Sequence, residues 1–195
     1  QNKYQGITEY LSKKTGKVGN EVMLIYNKKL SVCPITTHIP LSQVSKKISK
    51  NKIISKVKII DNFYRKSLKK IPTFAVLGLN PHNISSSKKP EEKEIIVKAI
   101  KSLLKLKINV VGPVAPDSSF AIYKKYKFDI IIGMYHDQVL SPFKALYKFN
   151  AINITLGLPF LRISPDHGVA YNIMGKRIAD QESLIESIKF FNNIK

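Results

Sequence analysis

Residues 128–138, FDIIIGMYHDQ, pass from a continuous apolar run into a histidine and an aspartate. Isoleucine at three successive positions (130–132) offers no polar face to solvent, and β-branched side chains favour an extended backbone. Strands that are apolar throughout are typical of parallel sheets covered by helices on both faces. The stretch therefore predicts a buried strand that presents His136 and Asp137 at its carboxyl end.

Apolar runs and amphipathic segments alternate along the rest of the chain. Further strands are predicted at Glu21–Tyr26, Leu30–Thr36, Thr73–Leu79, Ile108–Val111 and Ile152–Leu156. Two helices are predicted over Leu41–Lys70, with a break near Asn51. Further helices are predicted at Glu91–Leu106, at Asp117–Tyr126 with Asp117 as the N-cap, and at Glu182–Phe191. Residues 83–90 (NISSSKKP) are expected to form a loop. This order predicts an α/β protein with a largely parallel sheet flanked by helices, and no internal domain boundary is evident over residues 1–195.

The net charge of +20 comes from lysines that are spread over the amphipathic segments. Lys46, Lys50 and Lys58 alternate with apolar residues as on solvated helix faces, and no aromatic–basic platform for stacking bases is present. We therefore expect no nucleic-acid partner, and the charge favours anionic substrates. No apolar run approaches the roughly 18 residues that span a bilayer, and the single cysteine, Cys33, fits a reducing cytosol. The expected location is cytoplasmic, with no membrane partner.

Three of the four histidines follow predicted strands. His38 comes after LSVCPITT, His82 after TFAVLGLNP, and His136 after FDIIIGMY. Ligands of open α/β sheets bind beyond the carboxyl ends of the strands, so these side chains are predicted at one edge of the sheet. Imidazole nitrogens gathered there suit a divalent transition metal that polarises a substrate oxygen. The alternative is that each histidine is a hydrogen-bonded loop residue, since the local spacing of a helical zinc motif is absent.

Several other polar residues fall in the same loops. Asp137 is a candidate for acid–base work or for orienting a metal ligand, and it is equally a candidate cap for the following helix. Lys144, Asn153 and Arg162 are candidates for holding a phosphorylated or carboxylated substrate, because they offer cationic and amide donors to its oxygens. The alternative is that each of these residues, taken singly, is an ordinary surface residue.

Ordered motifs give the chain a family resemblance. They are GLNPH (78–82), VGPVAPDSSF (111–120), MYHDQ (134–138), NITLGLPFLRIS (153–164) and DHGVAYNIMGK (166–176). GITEYL (6–11) and TTHIPL (36–41) fit earlier motifs of the same family. In this order the motifs resemble 4-hydroxythreonine-4-phosphate dehydrogenase of vitamin B6 synthesis, over essentially the whole chain.

The resemblance implies an isocitrate/isopropylmalate dehydrogenase-like fold and a homodimer with its active site between the subunits. It implies that NAD or NADP oxidises 4-phosphooxy-L-threonine, which then loses carbon dioxide to give 3-amino-2-oxopropyl phosphate for pyridoxal 5′-phosphate (pyridoxine) synthesis. A divalent metal such as zinc, magnesium or cobalt is implied as well, with one subunit completing the metal site of the other.

The resemblance also assigns roles to particular residues. The implied metal ligands are His38, His82 and His136. The implied substrate-binding residues are Thr8, Lys144, Asn153 and Arg162. Lys144 and Asp137 are the candidate catalytic groups, the first by balancing substrate charge and the second by acid–base work.

Departures from the family pattern leave alternatives open. Ile7 stands where the family has a substrate-contacting histidine, Val139 stands where it has a glycine, and residues 83–90 lack its glycine-rich acidic loop. Family members also have a substantial portion ahead of the position of Gln1, so the chain is expected to be an N-terminally truncated, C-terminal part of the enzyme. The alternatives are a relative that acts on threonate or erythronate 4-phosphate, and a non-catalytic remnant.

Overall fold

The structure is a computed structural model that describes residues 6–84, 90–168 and 170–194. The strands in these residues are β1 Val22–Tyr26, β2 Ser31–Pro34, β3 Phe74–Leu77, β4 Val110–Val114, β5 Ile130–Gly133, β6 Ile152–Leu156 and β7 Arg162–Pro165. They form one sheet in the order β4-β3-β5-β2-β1-β6-β7.

Most of the described strands run in one direction. β4, β3, β5 and β2 pair in parallel. β6 has the same direction, because β2 and β6 both lie antiparallel to β1. β7 pairs antiparallel with β6 at the edge of the sheet. The predicted largely parallel sheet is therefore confirmed, with an antiparallel extension on one side.

Helices cover both faces of this sheet. They are α1 Ile7–Lys14, α2 Val44–Lys47, α3 Lys50–Ser67, α4 Val97–Lys105, α5 Pro116–Ile122, α6 His136–Tyr147 and α7 Glu182–Asn193. A π-helical turn, Glu92–Ile96, leads into α4, and 3-10 turns lie at Leu41–Gln43, Pro81–Asn83 and Tyr171–Ile173. None of the helices in the described part of the chain combines the length and apolar character that a membrane crossing requires.

Two hydrophobic layers, one on each face, hold the helices to the sheet. In β3, Phe74 and Val76 pack with α3 and α4, whereas Ala75 and Leu77 pack with α5 and α6. The isoleucines of β5 (130–132) alternate in the same way and have no exposed surface. Burying one such side chain contributes about 1.5–3 kcal/mol, so the apolar run that predicted the strand also anchors the sheet.

The two helical pieces predicted over Leu41–Lys70 are confirmed, and the break near Asn51 lies at Ser49, whose side chain accepts the Lys52 N–H and caps α3. The N-cap predicted for α5 was misplaced. Asp117 does not cap α5, which ends at Ile122. Ala115 is its N-cap residue and a proline is its first residue, where a missing N–H costs nothing.

Strand and loop predictions differ from the structure in three places. β4 begins later than predicted and continues through the Gly112–Pro113 pair, which an edge strand tolerates because one side of its backbone needs no partner. β7 and α1 were not predicted, since β7 is half-buried with mixed polarity and α1 carries few apolar residues. Most of the predicted loop at 83–90 lies outside the described residues.

Candidate active site

The three candidate histidines follow three adjacent strands, because β5 lies between β3 and β2. The connections after β2 and β3 lead to helices on the α3 side of the sheet, whereas β5 leads directly into α6 on the other side. Adjacent strands whose connections leave to opposite faces open a crevice at the carboxyl edge of a sheet. The topology therefore places His38, His82 and His136 at the edge where ligands bind in α/β folds.

His38 and His136 are neighbours at this edge, with ring centroids 5.8 Å apart. Glu9 of α1 faces them, since its Oε1 lies 3.6 Å from Nδ1 of His38. The other oxygen of Glu9 is buried and has no hydrogen-bond partner among the described residues. Thr8, the residue before Glu9, is thereby carried to the histidine edge as well.

The other two histidines also have a carboxylate beside Nδ1. His136 Nδ1 is hydrogen-bonded to Asp137 Oδ1 at 2.7 Å. His82 Nδ1 lies 3.8 Å from Asp117 Oδ2, which is longer than a hydrogen bond. A carboxylate beside Nδ1 favours a proton on that nitrogen and leaves Nε2 free to bind a metal. Asp137 makes no capping bond to α6, whose N-cap residue is Tyr135, so the structure places its carboxylate at the histidine.

Within one chain, the histidine edge brings two imidazole rings together but no complete set of metal ligands among the described residues. Across the described residues, no three histidine, cysteine, aspartate or glutamate side chains are grouped closely enough to hold one metal ion. His38 and His136 form a pair of imidazole donors, which suits zinc or cobalt better than magnesium, because magnesium prefers oxygen ligands. A metal bound at this edge therefore requires at least one further ligand beyond the pair.

Asn153 and Arg162 lie on a second surface, the face of the sheet covered by α6. Asn153 is opposite Ile25 in the β1–β6 ladder, and Ile25 packs in the hydrophobic layer beneath α6. Arg162 is opposite Thr155 in the β6–β7 ladder, and its Nη1 donates to Thr155 Oγ1 at 3.1 Å. Residues paired in an antiparallel ladder share a face, so both side chains belong to the α6 side. Asn153 Oδ1 is buried without a hydrogen-bond partner in the described part of the chain.

Lys144 reaches toward the end of β7 from α6. Its Nζ donates to the Asp166 backbone carbonyl at 2.7 Å and to Asp166 Oδ2 at 2.8 Å. The Asp166 side chain has no exposed surface, and its burial raises the pKa of the carboxyl although Lys144 opposes that rise. Lys144 lies two helical turns, about 12 Å, along α6 from His136. Within one chain, the histidines and the anion-binding candidates therefore form two separate groups.

A buried glutamate shapes the loop that carries His82. Glu92 Oε1 accepts the backbone N–H groups of Leu79 and Asn80 at 3.1 and 2.9 Å, and the Asn80 side chain donates to the same carboxylate. Burial by itself raises the pKa of Glu92, but these hydrogen bonds outweigh it and hold the pKa below its usual value. The turn between β3 and His82 is therefore fixed by a charged acceptor from the next helical segment.

Sequence reasoning missed several residues that shape the site. Glu9 and Gln138 lie inside the quoted motifs GITEYL and MYHDQ, so their position beside candidate residues was a usable signal. Asp117 is predicted from the sequence only as a helix cap, and Asp166 begins the quoted motif DHGVAYNIMGK, which indicates no partner for it. Glu92 gave no local signal, because its partners lie 12 and 13 residues earlier.

Cavities elsewhere do not contain the candidate residues. A cavity of about 590 Å³ opens near the amino ends of β2 and β6, where Tyr26, Lys29 and Ala151 line it. A broader one of about 800 Å³ lies between α3 and the segment after β6. Neither of these two cavities is lined by the candidate histidines, Lys144, Asn153 or Arg162.

Comparison with known proteins gives this geometry a family context. The family model described as the pyridoxal phosphate biosynthetic protein PdxA matches residues 1–191. A 4-hydroxythreonine-4-phosphate dehydrogenase from Sulfurihydrogenibium sp. is 46% identical over 192 residues, covering 95% of this chain and 58% of that protein. The corresponding enzyme of Aquifex aeolicus is 40% identical, covering 98% of this chain and 59% of that protein.

A solved structure agrees with these relatives. The crystal structure of 4-hydroxythreonine-4-phosphate dehydrogenase from Klebsiella pneumoniae superposes with a TM-score of 0.81 at 35% sequence identity, over 96% of this chain and 57% of that one. The chain spans somewhat less than three-fifths of the length of these relatives. Because the family match covers nearly every residue, the chain belongs to the PdxA family of pyridoxal phosphate biosynthetic proteins.

Proposed function

We propose that this chain contributes to an NAD- or NADP-dependent oxidation of 4-phosphooxy-L-threonine, followed by decarboxylation to 3-amino-2-oxopropyl phosphate, in pyridoxal 5′-phosphate synthesis. The observation that carries the proposal is the position of the three histidines of the family motifs. They follow three adjacent strands at the carboxyl edge of the sheet, and two of their rings lie 5.8 Å apart. The curated relatives that bear this enzyme's name support the choice of reaction.

In this proposal His38, His82 and His136 hold a divalent metal through Nε2. The hydrogen bond between Asp137 and His136 Nδ1 supports that role, because such a partner sets the tautomer and the direction of the ring. Glu9 and Asp117 lie near Nδ1 of His38 and His82, at 3.6 and 3.8 Å. A metal held there would supply stabilisation of negative charge on the substrate's oxygen, and a nicotinamide would supply the hydride acceptor. Asp137 serves to hold the His136 ring, and it is the candidate acid–base group nearest to the metal ligands.

The anionic ends of the substrate are assigned to the second group of residues. Lys144 and Arg162 offer charged donors for phosphate or carboxylate oxygens, and Asn153 offers an amide. Thr8 offers a hydroxyl at the histidine edge. The unpartnered buried Oδ1 of Asn153 is an acceptor, so it suits a hydroxyl or ammonium donor of the substrate, because buried polar atoms are ordinarily hydrogen-bonded.

We further propose a homodimer in which each site combines residues of two chains. The absence of a complete metal-ligand set among the described residues of one chain supports this arrangement, because a second chain could supply the missing ligand.

The test is reduction of NAD and of NADP by the purified chain with 4-phosphooxy-L-threonine and cobalt or zinc. We expect cofactor reduction that depends on both metal and substrate and that His136→Ala abolishes. Because the chain is shorter than its relatives, the same assay is repeated after adding the separately expressed remainder of a close relative. No reduction in either case would favour the non-catalytic remnant.

Ile7 supports a second candidate substrate, threonate or erythronate 4-phosphate. This side chain is 53% exposed at the start of α1, beside Thr8, and it can neither donate a hydrogen bond nor carry charge. If the site prefers 4-phosphooxy-L-threonine, Ile7→His should lower KM for that substrate while leaving the KM for the nicotinamide cofactor unchanged. A higher kcat/KM for either sugar-acid phosphate in the unmodified chain would instead assign it to the second candidate.

A further inference from the structure

We infer that Gln138 is a positioning residue that sets the separation between the loops bearing His82 and His136. Its Oε1 accepts the backbone N–H of Met134 at 2.6 Å, and its Nε2 donates to the backbone carbonyl of Gly78 at 2.8 Å. One partner is a donor and the other an acceptor, so the orientation of the amide is determined by its surroundings. The inference rests on the proposed function, because positioning matters only if the histidines bind a ligand.

The amide lies at the point where β3 and β5 separate. The parallel ladder between these strands has its last register pair at Val76 and Ile132. Beyond this pair the two connections leave to opposite faces of the sheet, and the Met134 N–H and the Gly78 carbonyl bond to Gln138. A buried backbone group without a hydrogen-bond partner destabilises the folded state. The Gln138 amide supplies a partner to both groups and bridges the ends of the two strands.

The first turn of α6 keeps the amide in place. A Cβ on Gly133 would lie 3.1 Å from Gln138 Oε1 and 2.5 Å from Cγ1 of Val139, so the glycine is what allows the helix to approach the strand end. Val139 has no exposed surface and packs in the layer beneath α6. Gln138 is therefore held by its own helix while its amide reaches across to the neighbouring strand.

This bridge couples two candidate ligand loops directly. His136 lies two residues after the N–H donor and His82 lies four residues after the carbonyl acceptor. A change in the length or polarity of the bridge therefore shifts one imidazole relative to the other. The Gln138 bridge affects metal binding in either arrangement. His82 and His136 of one chain could bind the same metal, or each could bind a different one of the two symmetry-related metals of a dimer.

The test compares Gln138→Leu and Gln138→Glu with the unmodified chain. Leucine has a similar volume and removes both hydrogen bonds. Glutamate can still accept the Met134 N–H, but it places a carboxylate oxygen next to the Gly78 carbonyl oxygen, where no hydrogen bond can form. Gln43→Leu, at an exposed position before α2, is the matched control. Cobalt alone is titrated into each metal-free protein, and its affinity is compared with the melting temperature of the same sample.

We expect both Gln138 variants to bind cobalt at least about tenfold more weakly, which is the usual effect of disturbing groups that orient metal ligands. Gln43→Leu should bind cobalt as the unmodified chain does. A lower melting temperature with unchanged cobalt affinity would show a merely structural glutamine and would overturn the inference.

A second measurement is needed if the Gln138 variants unfold, or if the unmodified chain itself binds no cobalt. The ring ¹⁵N chemical shifts of His82, His136 and His167 are recorded in the metal-free protein, with Gln138→Asn as a milder variant. We expect the first two shifts to move and the third to stay. Unmoved shifts would overturn the positioning role, whereas moved shifts without cobalt binding would count only against the metal site of the proposed function.

Discussion

Glu92 illustrates how one carboxylate determines the conformation of a loop that carries a candidate ligand. Its Oε1 accepts hydrogen bonds from two consecutive backbone N–H groups, at Leu79 and Asn80, just after β3. The residue is 4% exposed, so water cannot replace these bonds if the charge is lost. The path of the chain toward His82 therefore depends on an acid that belongs to the helical segment before α4.

We predict that Glu92→Gln lowers the free energy of unfolding by about 2 kcal/mol at pH 7, because hydrogen bonds to charged groups contribute about 1.5–3 kcal/mol. The folded state lowers the pKa of Glu92, so its stabilisation is present above the unfolded value of about 4.3 and is lost as pH falls through the folded value. Urea unfolding from pH 7 down to acid should show the difference between the two proteins shrinking. Glu94→Gln, on an exposed side chain, is the control, and a difference that does not change with pH would contradict the prediction.

Gly157 is a position where both backbone conformation and space require glycine. Its φ is +81°, and a Cβ would lie 1.9 Å from the backbone carbonyl oxygen of Asn20. Gly19 has a similar φ of +85° but open space around it. Replacing Gly19 therefore tests the backbone strain alone, whereas replacing Gly157 adds a steric clash. We predict that Gly19→Ala costs about 1 kcal/mol, the usual penalty for a side chain in the left-handed region, and that Gly157→Ala costs at least about 2 kcal/mol more. Equal losses in urea unfolding would show that the backbone of Asn20 moves freely.

At the scale of elements, Asp166 joins α6, β7 and α7. Its carboxylate and carbonyl hold Lys144 of α6, and its backbone N–H donates to Ser183 Oγ of α7 at 3.0 Å. Ser183 in turn donates to the carbonyl of Ala151, just before β6. The antiparallel edge of the sheet is therefore tied to two helices through the backbone and the buried side chain of one residue.

We predict that Lys144→Met destabilises the protein by about 3 kcal/mol at pH 7, because it leaves a buried carboxylate without its counter-charge. Burial raises the pKa of Asp166, and losing Lys144 raises it further, so the destabilisation should decrease as pH falls and the carboxyl becomes neutral.

The double variant Lys144→Met/Asp166→Asn should recover most of the loss, and Lys148→Met, at an exposed position, should cost little. Additive effects in a double-mutant cycle would show that the pair is not energetically coupled.

At the scale of the whole molecule, the distribution of the histidines leads to a prediction about assembly. His38 and His136 already lie side by side in one chain, so His82 is the ligand that we expect a partner copy to supply. If so, mixing His38→Ala chains with His82→Ala chains should restore one cobalt site per heterodimer, because one of the two interfaces then contains only intact ligands. The measurement is the cobalt stoichiometry of the mixed sample, with each single variant as its own control.

The choice of pairs makes this experiment decisive. Mixing His38→Ala with His136→Ala should restore no cobalt site. In that heterodimer each chain lacks one member of its own His38–His136 pair, so neither site has all its ligands. Restoration by that pair would place His38 and His136 in different subunits, and restoration by no pair would refute a metal site shared between chains.

Most of the fold was predictable because strands and helices leave local patterns in the sequence. The apolar runs at Thr73–Leu79 and Phe128–Met134 predicted buried strands, and the structure has β3 and β5 there in adjacent, parallel positions. The histidines after these strands were placed correctly at the carboxyl edge, since the end of a parallel strand is a geometric consequence of its direction. β7 was missed because a half-buried edge strand lacks a continuous apolar signal.

The sequence by itself therefore determined the identity and direction of the main elements, the strand-end positions of His38, His82 and His136, and the family. Only the tertiary structure decided the partners: Gln138 with a carbonyl 60 residues away, Lys144 with Asp166 22 residues away, and the division of the candidate residues into two surfaces. Periodicity reports which face of one element is buried, and that is a local property. Side-chain partners depend on how separate elements pack against each other, which no single segment of sequence contains.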